Sequence, residues 1–211
     1  MSRPQATQTT RKKRANGVES RQRILDATVE IAGERGYEGT SIAAVSAKCG
    51  LPASSIYWHF KDKDDLLAAV IERSFGTWLG AWHIPENGAP QERGASVAAQ
   101  IAKALLDSPD FIRLGLMLAL ERRPVEPRAR TAFLRVRDQA YHVLSSGMRE
   151  LTPGLTDAQV HQLATYALAA ADGLFIAKEI GGDSVDLTAL FELHARAVFD
   201  TAVHMVADNT P

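Results

Sequence analysis

One glycine places the tightest constraint on what this chain can fold into. Gly50 lies inside Thr40–Lys63, TSIAAVSAKCGLPASSIYWHFKDK, between two stretches that are each long enough only for a short helix. Glycine takes the left-handed backbone conformation that a sharp turn needs and that a Cβ resists. Ser46 and Cys49 are small, so the first helix can lie close to the second. Ile56 then packs the second helix back onto the first. Pro52 suits the opening turn of a helix, where its missing N–H is not needed. Two short helices crossed through a glycine turn form a helix-turn-helix, whose second helix enters the DNA major groove. Spacing alone does not separate this unit from an ordinary helical hairpin.

The end of the second helix narrows the reading. In Ile56-Tyr57-Trp58-His59-Phe60-Lys61 the rings cannot all face one core. Ile56 and Phe60 are one helical turn apart and share a buried face, so Tyr57, Trp58 and His59 must point elsewhere. Tyr, His and Lys reach phosphate oxygens, and such contacts fix a protein's register on a duplex. The alternative is a helix end packed into a core with its polar tips wet.

The stretch from Ile24 to about Phe75 resembles the DNA-binding domain of TetR-type (tetracycline-repressor-like) transcriptional regulators. The matching pieces are Gly36-Tyr37 with Thr40, Gly50-Leu51, Ile56-Tyr57-Trp58-His59-Phe60-Lys61, then Lys63 and Leu66-Leu67. The chain departs from the family at Pro52, often Ser, at Ala53, often a cation, and at Ser46, often Ala. The loss of a cation at position 53 bears on one phosphate or base contact and not on the fold. The resemblance implies roles for individual residues. Tyr57, His59, Lys61 and the Thr40 or Ser41 hydroxyl would hold phosphates. Ala53, Ser54, Ser55 and Trp58 would lie where base edges or thymine methyls are read. Lys48 and Lys63 would add nonspecific attraction.

Charge supports the same reading. The chain has 211 residues and a net charge of −1, yet residues 1–63 carry 11 Lys or Arg against 6 Asp or Glu. The remainder carries 13 against 19. A basic first third on an acidic protein is the electrostatic footprint of a nucleic-acid-binding domain. No apolar run approaches the ~20 residues of a membrane-spanning helix. A polar N-terminus without a secretory signal and the single Cys49 give the expectation of a reducing cytoplasm, with no internal disulfide and no membrane partner.

Read in order, residues 1–17 look like a disordered basic arm. Its Arg11-Lys12-Lys13-Arg14 either reaches a minor groove or phosphates, or is a solvated leader. A helix from near Glu19, with Ile24, Ala27, Thr28, Ile31 and Ala32 on one face, ends at Gly36. Asp62 caps a long helix carrying Leu66, Leu67, Val70, Ile71, Phe75, Trp78, Leu79 and Trp82. This helix leaves the reader for the next domain, as a lever would. After the Pro85–Pro90 loop, breakers divide the rest into helices over 91–107, 110–123, 127–151, 156–181 and 186–207. No period-2 strand appears. The reading is all-α. A helix-turn-helix three-helix domain over 18–64 is joined by the long helix to a helical effector-binding and dimerisation domain over 65–211.

The helices 156–181 and 186–207 suit a two-fold interface, and Leu187, Leu190, Phe191, His194, Val198, Thr201 and Met205 form its stripe on the last one. Pairing two copies would make a four-helix bundle, an arrangement the resemblance also implies, and would predict a pseudo-palindromic site. Trp78, Trp82, Phe111, Met117, Tyr141, Tyr166 and Phe175 either are ordinary core or line one apolar pocket. The resemblance implies the pocket, for an unknown small hydrophobic effector, with Arg113, Glu121 and His142 as candidate polar contacts. Enzyme chemistry finds no support. No two of the six histidines sit at i, i+4 on one helix, no phosphate loop appears, and Ser145-Ser146-Gly147 lacks the context of a nucleophile elbow. Neither a metal nor a cofactor is expected. The functional expectation is a dimeric, ligand-responsive DNA-binding regulator, most simply a repressor. Its alternative is a helical small-molecule-binding or enzymatic domain without a DNA role.

Overall fold

The computed structural model describes residues 5–120, 125 and 127–209, with side chains from residue 16 onward. Among these residues every regular element is a helix: α1 (Gln5–Gly39), α2 (Ile42–Cys49), α3 (Ala53–His59), α4 (Lys63–Gly80), α5 (Pro90–Asp107), α6 (Asp110–Leu120), α7 (Arg128–Leu151), α8 (Asp157–Gly181) and α9 (Leu187–Asp208). A single 3-10 turn, Gly182–Ser184, joins α8 to α9. The all-α reading holds, and Pro90, Pro109, Pro153-Gly154 and Gly181-Gly182 bound helices as the sequence expects, while Pro124 lies outside the described residues.

One boundary differs. The backbone is helical from Gln5, not from near Glu19. Residues 5–16 are rich in Gln, Thr, Ala, Arg and Lys, most of them good helix formers. Once packing at Ile24 and Leu25 has nucleated α1, each added residue gains a hydrogen bond at little cost. Residues 1–4 and the side chains of Arg11, Lys12, Lys13 and Arg14 lie outside the described residues.

The chain sorts into two compact units. The first comprises Met1–Arg73 and Arg113–Phe133, the second Ser74–Ile112 and Leu134–Pro211. The expected boundary at 64/65 thus moves into the middle of α4, because the first half of that helix is needed to close the first core. There Leu66, Ala69 and Val70 pack with Ile24, Leu25, Ala27 and Ile31 of α1, Val45 and Cys49 of α2, and Ile56 and Phe60. The segment 113–133 joins this unit through Arg128, whose backbone N–H donates to Asp64 and whose guanidinium pairs with Asp62. α4, α6 and α7 each supply residues to both units.

Caps explain where the second unit's helices start. Pro90 opens α5, and Glu92 in its first turn accepts from the Ala89 N–H at 3.2 Å. Thr156 and Gln159 form a reciprocal capping box at α8, and the Asp186 carboxylate accepts from the Ala189 N–H at 3.0 Å at α9. Met148 of α7, Leu163, Ala164 and Ala167 of α8, and Ala202 of α9 form a core cluster. Alanines at these positions let the helices approach closely.

Candidate functional site

The reader begins at a break in α1. Gly36 has φ 66° and ψ −169°, which interrupts the helix. Ser41 then caps α2, its hydroxyl accepting from the Ala44 N–H at 3.1 Å. Gly50 ends α2 in the left-handed conformation (φ 66°, ψ 23°), with its N–H on the Ser46 carbonyl. Two side chains fasten the turn. The Ser46 hydroxyl donates to the Leu51 carbonyl, and Arg23 of α1 donates to the Cys49 carbonyl, both at 2.7 Å. Arg23 satisfies an otherwise open carbonyl at the negative end of α2.

α3 has seven residues and one fully buried side chain, Ile56. With Phe60 just beyond its end, Ile56 fixes the helix by one edge. Tyr57 (56% exposed) and Trp58 (75% exposed) are left in solvent, with Ser54 exposed and Ala53 and Ser55 half-buried. Rings this exposed do nothing for the core, so the wet-tipped core alternative fails for Trp58. Its ring packs edge-on to His59 at 4.5 Å. Partial burial lowers the His59 pKa, and nearby Arg21 lowers it further, so near neutral pH the imidazole is uncharged and offers one N–H. Lys61 is exposed, and its backbone N–H is held by Asp65. Asp65 is in turn capped by Asp62, as the sequence expected of that residue.

Two candidates turn out to be structural. Thr40 is 1% exposed, and its hydroxyl donates to the Gly36 carbonyl at 2.8 Å, so it is withdrawn from a phosphate and Ser41 is the exposed hydroxyl. Lys63 lies 4.3 Å over the Tyr37 ring and donates to the Tyr37 carbonyl at 3.2 Å, which ties α4 to α1. Lys48 is exposed but paired with Glu30, which screens its charge.

The second unit holds a cavity of 180 Å³. Its wall draws on α4 (Phe75, Trp78), α5 (Ala98, Ile101, Leu105), α6 (Phe111, Ile112), α7 (Leu144, Met148), α8 (Ala167, Leu168) and α9 (Phe191, Val198), with Trp82 and Ile84 just beyond α4. The polar exceptions are few. Arg137 forks onto Asp172 with bonds of 2.9 and 2.7 Å. Burial raises the Asp172 pKa while the guanidinium works the other way. Burial lowers the His194 pKa against a hydrogen bond to the Ala167 backbone, so that imidazole is neutral too.

Comparison with known proteins bears on part of the first unit. Residues 24–70 match the family model of bacterial regulatory proteins of the tetR family. Residues 24–70 are therefore similar to a TetR-type helix-turn-helix domain. Over 64 residues the chain is 38% identical to the transcriptional regulator AcrR of Shigella flexneri, covering 30% of each chain. Over 91 residues it is 32% identical to the transcriptional repressor KstR of Rhodococcus jostii, covering 43% of each. The match thus spans less than half the length of these regulators. The fold agreement extends further. The regulator FadR of Bacillus subtilis, solved in complex with stearoyl-CoA, superposes with a TM-score of 0.69 at 20% identity, over 84% of this chain and 96% of that one.

Beyond the TetR-type domain, the pocket candidates divide. Trp78, Trp82 and Phe111 line the cavity; Met117, Tyr141, His142, Tyr166 and Phe175 do not. The Met117 methyl sits where a Cβ on Gly36 would go, at 2.7 Å. The Tyr141 hydroxyl bonds the His161 ring at 2.8 Å, and His142 faces Asp138 at the surface. Tyr166 is exposed beside His194, and Phe175 is buried away from the cavity. Arg113 belongs to the first unit, and Glu121 lies outside the described residues. The α9 stripe is also corrected. Leu187 and Phe191 are buried, and His194 and Val198 line the cavity, so that face serves its own unit. The exposed apolar residues on α8 and α9 are instead Tyr166, Ile176, Ile180, Leu193 and Val203. Arg137 and Asp172 escaped the sequence reading, although Asp172 is the sole charge in the apolar run 163–177. No group of metal-ligating side chains occurs among the described residues, nor a helix long and apolar enough to cross a membrane.

Proposed function

We propose that this chain is a dimeric DNA-binding transcriptional regulator, acting as a repressor whose operator affinity is set by a small hydrophobic effector. The observation that carries the reading is α3. One buried residue anchors it, and its serines, Tyr57 and Trp58 are held in solvent on a rigid three-helix support. In this reading Tyr57, His59, Lys61 and Ser41 hold phosphates, while Ala53, Ser54, Ser55 and Trp58 face base edges. Lys48 contributes long-range attraction only.

Dimerisation is supported by the outward face of α8, where Tyr166, Ala169, Gly173, Ile176 and Ile180 recur at alternating three- and four-residue spacing. Ile180 is 83% exposed, and such a stripe is buried by a matching helix pair from a second copy. The effector site is the second-unit cavity. Its link to the reader is α4, which supplies Leu66 to the reader core and Trp78 to the cavity wall. An effector acts only through its differential affinity for two states, and a coupling of about 1–3 kcal/mol changes operator affinity roughly 5–150-fold. The stearoyl-CoA of the Bacillus subtilis regulator is an acyl ligand. A cavity of 180 Å³ is instead close to the roughly 150 Å³ that houses one benzene, so the effector here is more compact.

Selection of bound sequences from a random duplex pool tests the reading. An inverted repeat with half-site centres about 34–36 Å apart, or a multiple of that, is expected. A lone half-site would remove the dimer, and no enrichment would remove the regulator.

A further inference from the structure

The stretch of α1 around Gly17 and Arg21 lies against the end of α3. A Cβ on Gly17 would stand 3.6 Å from the six-membered ring of Trp58. One helical turn on, the Arg21 guanidinium lies over the Phe60 ring, 5.2 Å from its centroid. The His59 pKa, lowered by burial, is lowered further by the Arg21 charge, which places that charge near the imidazole. Arg21 is exposed. Other cations of this unit are committed. Lys48 pairs with Glu30, Lys63 with Glu38, Arg73 with Asp26 and Arg128 with Asp62, while Arg23 holds the Cys49 carbonyl. Arg21 has no acidic partner and no hydrogen-bond acceptor among the described residues. A guanidinium stacked by its face on a ring keeps its edge of N–H donors free, and that edge matches two oxygens of a phosphate. Stacking also fixes the side chain in advance, so less rotamer freedom is lost when an anion arrives.

We infer that Arg21 is a DNA-backbone contact: α1 supplies a guanidinium to a phosphate near the one held by His59, so the contact surface spans α1 as well as α2 and α3. This rests on the reading of the first unit as a DNA binder. The exposed rings of Tyr57 and Trp58 mark where a duplex approaches, and Arg21 stands beside the same end of α3. A phosphate there brings negative charge next to His59 and offsets the repulsion by which Arg21 keeps that imidazole neutral. A role only as a lid on Phe60, which is 3% exposed, would account for the stack but not for the uncompensated charge. A phosphate contact carries no base information, so Arg21 raises affinity for every sequence alike.

The test uses the full chain and a short duplex of arbitrary sequence, titrated by fluorescence anisotropy at several salt concentrations. Arg21→Met keeps a stem over Phe60 and removes the charge. It is expected to reduce the slope of log affinity against log salt by about 0.9, the share of one phosphate, which is roughly eight-fold in affinity at about 0.1 M salt. Arg21→Gln, another uncharged helix former, should show the same loss. Arg21→Lys keeps a point charge and should retain most of the slope while binding more weakly than the native chain. In the free protein, Arg21→Met should let the His59 imidazole titrate at higher pH, with the amide resonances of α2 and α3 otherwise in place. Slopes equal to that of the native chain for both Arg21→Met and Arg21→Gln would overturn the inference, making Arg21 a lid on Phe60 and leaving the DNA-binding reading standing. A native chain that binds no duplex even at low salt would remove the inference and that reading together.

Discussion

Gly36 and Gly50 share φ 66°, yet replacing them should have different consequences, because ψ and surroundings differ. Gly50 sits at ψ 23°, in the left-handed region that alanine enters at about 1–2 kcal/mol and asparagine more easily. A Cβ there would lie 3.6 Å from the Arg23 guanidinium, an ordinary contact that adds nothing. Gly36 sits at ψ −169°, a region essentially confined to glycine, where a side chain costs up to about 3 kcal/mol. Its Cβ would also meet the Met117 methyl at 2.7 Å, but that is the end of a flexible chain and can move aside. Gly36→Ala should therefore destabilise the first unit by about 2–3 kcal/mol and Gly50→Ala by about 1–2 kcal/mol. Gly50→Asn should recover part of the loss and Gly36→Asn none. Adding Met117→Ala to Gly36→Ala should return less than about 1 kcal/mol, the steric share alone. Hydrogen exchange of the most protected amides in α1, α2 and α4 reads these values, about ten-fold in rate per 1.4 kcal/mol, without requiring both units to unfold together. Equal losses for Ala and Asn at position 50, or a milder effect at 36 than at 50, would refute the backbone argument.

Tyr57→Phe should weaken binding to matched and scrambled DNA alike by roughly 2–10-fold, one hydrogen bond's worth, whereas Ser55→Ala should change which base is preferred; identical effects on both DNAs would contradict the two roles. Arg137→Met should destabilise the second unit by about 2–3 kcal/mol at pH 7, since Asp172 is left half-buried without its counter-charge. Because burial raises the folded-state pKa of Asp172, the native state holds the proton longer, so the deficit should shrink as pH falls through that raised value; a deficit that ignores pH would show that Asp172 is not its source. Ile180→Asp should convert a dimer to a monomer in sedimentation with helix content intact, and an unchanged sedimentation coefficient would remove α8 from the interface.

Much of this was legible in the sequence because the signals are local. Gly50, Ile56 and Phe60 fix the reader through a turn and a one-turn repeat, and both are written in consecutive residues. Prolines and glycines similarly mark the ends of α5, α7 and α8. What the sequence concealed depends on partners far away in the chain. Thr40 looks like a free hydroxyl until the break at Gly36 turns the carbonyl of Gly36 toward it. Lys63 looks like a free cation until Tyr37 lies beneath it. On α9 periodicity finds the most apolar stripe, and an apolar stripe belongs first to the helix's own core; the outward face is marked only by what remains exposed, Leu193 and Val203. In the cavity, aromatic residues drew attention while the informative residue was Asp172, a lone charge in an apolar helix that only pairing with Arg137 can explain.

The central claim is that the α3 surface binds DNA, and fluorescence anisotropy of the full chain on the DNA flanking its own gene tests it most directly. Titrated at several salt concentrations, it should show tight binding to one pseudo-palindromic fragment. The logarithm of affinity should fall steeply with that of salt, by roughly 0.9 per phosphate contacted. Weak binding that is indifferent to sequence, and unchanged when Tyr57 and Lys61 are replaced by alanine, would contradict the account.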